Sequence, residues 1–311
     1  MTPICFYHSA DLDGKCSAAI VNYFVPDVDL YPFNYGDEFP WDKAQGNVVF
    51  MVDISLPAND MARLAQESQH LFWIDHHKTA IDEILPNKDL PMTTFCFVGF
   101  AACELTWMFF EHHYNKAAAS NVLDIKNEWV EAVPLAIKLL GHYDVWNKTD
   151  IELWDDYILP FQYGMRNTDN SPHNIDLWYP LLLNNLPTCS EITENGKAIL
   201  SYQRKQNERV VKSLSFEGHV TALEGMRAIC CNQGLSNSQL FDAVWDPEKH
   251  DIMVTFVWKP KHRKWLYSLY STKEDVDCGA IAKKYGGGGH KGAAGFEHDE
   301  LLVVPEMLRD D

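Results

Sequence analysis

Positive charge is scarce in this chain. Its 311 residues hold 26 Lys and Arg against 44 Asp and Glu, a formal net charge of −18 at pH 7. Extended nucleic acid is bound through many Lys and Arg contacts to phosphate, so this balance argues against a long polyanionic partner. A small anionic substrate stays compatible, because bound cations and a few local bases reverse the field inside a site. Long apolar runs are missing as well. No stretch reaches the roughly 18 consecutive apolar residues of a membrane-crossing helix, so no transmembrane helix and no membrane partner are expected. The opening MTPICFYHSADLDG enters a strand at once and carries polar groups by position 8. That is unlike a secretory signal, and a cytoplasmic location is expected. Metal-binding cysteine spacing is also absent. The eight cysteines include an adjacent pair, Cys230 and Cys231, and most of the others lie in apolar runs. Buried free thiols in a reducing compartment fit this better than a structural zinc site.

What is present is apolar mass and a recurring pattern. The chain is 46% hydrophobic and 13% aromatic, enough for substantial cores, and its length suggests two domains. Residues 4–9, VDLYPFN, NVVFMVDI and HLFWID read as strands, with helices over 14–24 and LPANDMARLAQES between them. Such an order predicts a mostly parallel sheet covered on both faces. Further helices are expected over 99–113 and over 127–141, the latter closed by Gly141. A long helix opening on a Ser cap, over 190–214, reads as a connector. Beyond it, HVTALEG, MRAICCN, IMVTFVWK and KWLYSLYS alternate as strands, KPKHRK forms a hairpin tip, and DCGAIAKKY forms a helix. The expected domains are 1–189, the connector 190–214, and 215–311.

The pattern lies in how the apolar runs end. One ends at His8, Asp11 and Asp13, the next at Asp53, another at Asp75, His76 and His77, and LAIKLLGHYDVW delivers Asp144. Any single piece has an ordinary explanation. A lone Asp at a strand end is usually a cap or turn former, and a His pair is usually surface. Several β-like runs that each stop at an acid are the means by which open α/β sheets build a site at the carboxyl ends of their strands. Carboxylate oxygen and neutral imidazole are ligands for hard or borderline divalent cations. Carboxylates so gathered repel one another unless cations lie between them. The simplest reading is a two-metal site for phosphoryl chemistry. The Glu-His-His at 111–113 falls at a helix end, where histidine complements the dipole, and is read as structural.

Four consecutive glycines, Gly286 to Gly289, precede His290, and Gly292-Ala293-Ala294-Gly295 follow. This composition argues against a helix or strand interior. Glycines let backbone amides approach a ligand and form nests for phosphate oxygen. The embedded His and Lys and the following Phe296 speak against a flexible linker.

Together HSADLDG, VDIS, DHH and the Asp of GHYDVW resemble the four motifs of the DHH phosphoesterase superfamily. SLYSTKEDVDCGAIAKKYGGGGHKGAAGF resembles its DHHA1 substrate-binding domain. The resemblance covers essentially the whole chain. It implies an α/β fold: an N-terminal DHH domain with a mostly parallel sheet, a long helix, a smaller α/β DHHA1-like domain, and an active site in the cleft between them. It implies two Mn²⁺, with Mg²⁺ or Co²⁺ as substitutes. His8, Asp11 and Asp53 would hold one cation, and Asp13, Asp53, His76 and Asp144 the other, with Asp53 bridging. Asp75 would orient a histidine, and His77 would face the substrate phosphate. Gly287, Gly288, Gly289 and His290 would hold the rest of the substrate. Tyr270 stands where many DHHA1 domains carry Arg, and could stack on a base. Nothing in the sequence decides against a homodimer.

The function expected is a Mn²⁺-dependent phosphodiesterase (a hydrolase) of nanoRNA type. It would convert short oligoribonucleotides or linear dinucleotides such as pGpG to 5′-mononucleotides through a hydroxide activated by two metals. Alternatives are a RecJ-type exonuclease, a pyrophosphatase or exopolyphosphatase, and a catalytically silent nucleotide-binding protein.

Overall fold

A computed structural model describes residues 2–86, 90–114, 125–221, 223 and 225–305. The chain divides into two compact units, Met1–Leu200 and Ser201–Asp311. The first is built on strands β1 (Ile4–His8), β2 (Asp29–Phe33), β3 (Val48–Val52), β4 (His70–Asp75) and β5 (Met92–Cys96). They form one sheet in the order β2-β1-β3-β4-β5, with every neighbouring pair parallel. The sheet is thus wholly parallel. Its helices are α1 (Leu12–Phe24), α2 (Trp41–Ala44), α3 (Ala58–Glu67), α4 (Lys78–Ile84), α5 (Ala102–His112), α6 (Asn127–Ala132), α7 (Leu135–Asp144), α8 (Ile151–Leu153), α9 (Leu159–Arg166) and α10 (Ile175–Leu182).

Alternation along the strands explains the layering. Cys5, Tyr7, Phe50 and Val52 point into a core shared with α1, α5, α7 and α9. Ile4, Phe6, Val49 and Met51 point into a second core with α2 and α3. Strands buried on both faces read as continuous apolar runs, which is how they look in sequence. Strand order reverses between β1 and β3. In open parallel sheets that reversal opens a crevice at the carboxyl ends of the two strands. His8 ends β1 and Asp53 follows β3.

The expected helix over 127–141 is two helices. Pro134 caps α7, and the residue before a proline disfavours helix, so Val133 separates it from α6. Gly141 does not close α7. The helix runs on to Asp144, and a Cβ at Gly141 would lie 2.6 Å from the Glu104 carboxyl of α5. Gly141 therefore lets the helix carrying Asp144 approach α5. Gly14 does the same for α1, since a Cβ there would lie 2.0 Å from the His8 carbonyl oxygen.

A single helix, α11 (Leu186–Leu214), leads into the second unit. There β6 (Ser215–Val220), β7 (Ala228–Cys231), β8 (Ile252–Lys259), β9 (Lys264–Tyr270), β10 (Gly288–His290), β11 (Ala293–His298) and β12 (Val303–Pro305) form a sheet in the order β10-β11-β9-β8-β7-β6-β12. Only β7 and β8 pair in parallel among the pairs described. Helix α12 (Cys278–Lys284) packs on it with Val276, Tyr267 and Phe296. The strand expected over 219–225 falls partly outside the described residues. One expectation fails here: the glycine segment is strand, not irregular. Gly288, Gly289 and His290 pair antiparallel with Gly295, Ala294 and Ala293. Close packing makes glycine fit a strand at this place. A Cβ on Gly287 would lie 2.1 Å from the Gly295 carbonyl oxygen, and one on Gly289 would lie 2.5 Å from Ala294 Cα. Among the described residues no helix is long and apolar enough to cross a membrane.

Gly14→Ala should therefore be costly. It forces α1 away from the end of β1, and overpacking of this kind costs about 1–3 kcal/mol. Urea unfolding of the two proteins measures the loss. An unchanged midpoint would show that α1 is free to shift.

Candidate metal centre

Each side chain of the cluster is delivered by local structure. Asp11 caps α1, accepting from Gly14 N at 3.0 Å through Oδ1, while its Oδ2 lies 3.0 Å from His8 Nδ1. Asp13 lies in the first turn of α1 and is buried; its two oxygens accept from Ala102 N at 2.8 Å and Cys103 N at 2.7 Å. The amino end of α5 thus supports an anion in the interior, as helix N-termini do. Asp53 adopts a left-handed backbone with φ of 59°. Asp tolerates that region better than most residues, and such strain at a strand end aims its side chain along the crevice.

Asp53 is the hub. Its Oδ2 lies 3.6 Å from His8 Nδ1, and its Oδ1 lies 3.3 Å from His76 Nε2. His76 Nε2 is also 3.6 Å from Asp13 Oδ2 and 3.4 Å from Asp144 Oδ2. Two groups of donor atoms result, His8–Asp11–Asp53 and Asp13–His76–Asp144, each gathered within 4.8 Å. A third grouping of the same tightness, Asp53–His76–His77, shares two of these residues. All six residues read from sequence as cation ligands meet here. Neither Glu111, His112 nor His113 belongs to such a group among the described residues.

Asp75 plays a different part. It is fully buried and accepts from Trp73 Nε1 at 3.2 Å, His76 N at 2.7 Å and His77 N at 3.1 Å. His77 Nδ1 lies 2.7 Å from its Oδ1. Burial alone would raise the Asp75 carboxyl, but the His77 hydrogen bond and charge outweigh it and hold the group below its ordinary value. An ionised carboxylate only accepts, so His77 Nδ1 carries the proton and donates.

The electrostatics fit cations. Burial pushes Asp53 and Asp144 well above the ordinary carboxyl value, and the charge of Asp13 adds to it in both. Burial works the other way on His8, but Asp11 and Asp53 override it and hold the imidazole up to about 10. Both oxygens of Asp53 are buried without a hydrogen-bond partner among the described residues. Leaving such atoms unsatisfied is costly. A donor set of carboxylate oxygen and imidazole with orphaned atoms suits a divalent cation. The four carboxylates of the two groups, Asp11, Asp13, Asp53 and Asp144, also balance the charge of two dications.

Sequence reasoning missed two neighbours. Glu104 is buried beside Asp13 and caps α5 by accepting from Ala101 N at 3.1 Å. Its place inside an apolar helix was visible, but not that the helix begins at the site. Tyr35 follows β2, and its ring lies 5.9 Å from that of His8 and 6.4 Å from that of His77. Only the strand order, which sets β2 beside β1, brings it there. Gly288, Gly289 and His290 lie in the second unit on β10, directly after Gly287, with His290 exposed. Tyr270 ends β9, and its hydroxyl donates to the Ser236 carbonyl at 2.9 Å.

A wholly parallel sheet with carboxylates and imidazoles at its switch point defines an α/β unit with side-chain groups that could hold a metal ion. Residues 3–137 match the model of the DHH family, N-terminal domain, so this stretch of the chain is similar to that family. Uncharacterized protein R106 of Acanthamoeba polyphaga mimivirus is 24% identical over 325 residues, covering 94% of this chain and 66% of that protein. The chain thus spans just under two thirds of that relative. Two solved structures share the fold. An exopolyphosphatase-related protein from Bacteroides fragilis has a TM-score of 0.54 at 15% identity, covering 97% of this chain and 88% of its own. A DHH domain described as a member of the s1p family of ribosomal proteins has a TM-score of 0.56 at 13% identity, covering 94% and 82%.

Glu104 gives a pH test. Burial first, with the charge of Asp13, raises its carboxyl from 4.5 to about 7 against the opposing Ala101 hydrogen bond. The folded state then binds this proton more tightly than the unfolded state, so stability is lost as pH rises between those values. In chelated protein, Glu104→Gln should remove that share of the pH slope, on the order of 1–3 kcal/mol, in urea melts from about pH 5 to about pH 7.5. An identical slope in both proteins would assign the loss to other groups.

Proposed function

We propose that this chain is a divalent-cation-dependent phosphodiesterase acting on short oligoribonucleotides or linear dinucleotides, pGpG among them, and releasing 5′-mononucleotides. The observation that carries the reading is Asp53: a buried carboxylate whose two oxygens face two separate donor groups. The similarity of residues 3–137 to the DHH family, N-terminal domain, supports it. The cations proposed are two Mn²⁺, held by His8, Asp11 and Asp53 and by Asp13, Asp53, His76 and Asp144. When bound, such a pair supplies Lewis acidity toward a phosphoryl oxygen and makes water a nucleophile near neutral pH.

The chain's own residues do the rest. Asp53 holds the two groups in register. Asp13 stays fixed between α1 and α5, so its carboxylate cannot swing away. Asp75 contacts His77 Nδ1 and fixes the orientation of the ring. As the imidazolium, protonated on both nitrogens, His77 would stabilise negative charge developing on the phosphate or pass its Nε2 proton to the leaving oxygen. Gly287, Gly288, Gly289, His290 and Tyr270 are proposed to hold the part of the substrate that does not react. The net charge of −18 offers no track for a long strand and supports short substrates.

The test compares a 5′-phosphorylated dinucleotide, a strand of about 20 nucleotides and pyrophosphate, with Mn²⁺ and with chelator; the short-substrate limit rests on counterion arithmetic. Mononucleotide release should be fastest from the dinucleotide and absent with chelator. Faster loss of the long strand would favour an exonuclease, and hydrolysis of pyrophosphate alone would favour a pyrophosphatase. His77→Ala should keep two metals per chain by elemental analysis and lose roughly 10²–10⁴-fold in turnover. Loss of one metal from that variant would make His77 a ligand instead.

A further inference from the structure

Immediately after Asp144 the chain builds a feature that the cation site does not use. An open cavity of about 460 Å³ is lined by Gly99, Val145, Trp146, Asn147, Lys148 and Thr149. That volume lies within the roughly 300–1,000 Å³ range of small-molecule sites. Trp146 lines it and belongs to an aromatic cluster with two neighbours outside the lining. Tyr143 and Trp154 stack with planes 8° apart and centroids separated by 5.8 Å. The Trp146 ring stands across both, 5.6 Å from Tyr143 and 4.9 Å from Trp154. Trp154 is buried, whereas Trp146 keeps 39% of its surface exposed.

Four further observations separate this from ordinary packing. Trp146 has a left-handed backbone, φ 54°, which a bulky residue adopts at a cost. Strain of this kind gathers at ligand-binding positions. Positive charge is also set here, in a chain of net charge −18. The Lys148 ammonium lies 4.4 Å from the Trp146 centroid and 4.9 Å from the Trp154 centroid. The Arg166 guanidinium donates to Tyr143 Oη at 3.1 Å. Asn147 Oδ1 is taken by Thr149 N at 3.2 Å and Thr149 Oγ1 at 2.7 Å, which fixes the amide and leaves its NH₂ as a donor beside the cavity. Trp154, which packs against Trp146, opens a π-helical turn, Trp154–Ile158, and such turns recur at functional sites.

We infer that this cavity is a nucleobase subsite: Trp146 stacks on a base, Asn147 hydrogen-bonds its edge, and Lys148 meets the adjoining phosphate. A flat π-face, an amide donor and one cation suit a nucleotide, whereas phosphate or polyphosphate alone would have no use for an exposed indole. The inference deepens the phosphodiesterase reading, since the subsite begins one residue beyond a proposed cation ligand. Its test does not need turnover.

Isothermal titration of the full chain with guanosine, adenosine, cytidine and uridine 5′-monophosphates, and with ribose 5-phosphate, measures the subsite directly. At least one of the four nucleotides should bind at least tenfold more tightly than ribose 5-phosphate. Trp146→Ala should weaken that nucleotide about tenfold or more, in line with a lost base–aromatic stack, while Trp146→Phe stays within about threefold. Lys148→Gln, at an exposed position, should weaken the nucleotide but not the matching nucleoside. Equal binding of nucleotide and ribose 5-phosphate, or unchanged affinity in Trp146→Ala, would overturn the inference. Were the nucleotide bound as described and no dinucleotide cleaved, the subsite would stand and the phosphodiesterase reading would fall.

Discussion

Repulsion among closely gathered carboxylates, two of them buried, is the constraint around which the first unit is arranged. Asp11, Asp13, Asp53 and Asp144 converge on two imidazoles within a few ångströms, at the one point where a parallel sheet opens a crevice. Without cations the cluster settles by binding protons. Asp53 and Asp144 rise far above ordinary carboxyl values and His8 is held protonated. Every one of those protons is in competition with a metal, because cation ligands must be deprotonated. The fold thus stores an unfavourable charge arrangement that a pair of dications would relieve.

Holding that arrangement demands close approaches elsewhere. Helix α1 must start against the end of β1, and only Gly14 allows it. Helix α7 must press on α5 to bring Asp144 in, and Gly141 makes the room. Asp13 is pinned by the first amides of α5, so that helix serves as an anion support as well as a cover for the sheet. Asp75 spends its acceptors on Trp73 and the DHH backbone, which fixes both histidines relative to β4. Stability is given up at Asp53, whose left-handed backbone and unsatisfied oxygens are the features a ligand would reward.

Much of this was legible in sequence because the strands are buried on both faces. Continuous apolar runs mark such strands, and a polar residue at the end of each run marks the edge of the sheet. His8, Asp53 and the Asp75–His77 step could be placed that way. The sheet's order could not. Strand pairing is a long-range property, so the neighbours that β2 and α5 bring, Tyr35 and Glu104, were invisible. The glycine segment misled for a local reason. Glycine disfavours strands on average, yet Gly287 and Gly289 stand where a Cβ would strike β11. Helix α7 misled similarly, since a glycine that looks like a stop was a contact. Trp146 was quoted only as the flank of Asp144. Its exposure, its backbone and its partners Trp154 and Lys148 depend on residues that fold back onto it.

The central claim is that one carboxylate, Asp53, divides two cations between its oxygens. Anomalous diffraction at the manganese edge from Mn²⁺-soaked crystals tests it most directly. The account predicts two peaks about 3.5–4 Å apart, the spacing of two-metal hydrolytic sites. One should contact Asp53 Oδ2 with His8 and Asp11, and the other Asp53 Oδ1 with Asp13, His76 and Asp144. A single peak, or two peaks of which only one touches Asp53, would contradict it.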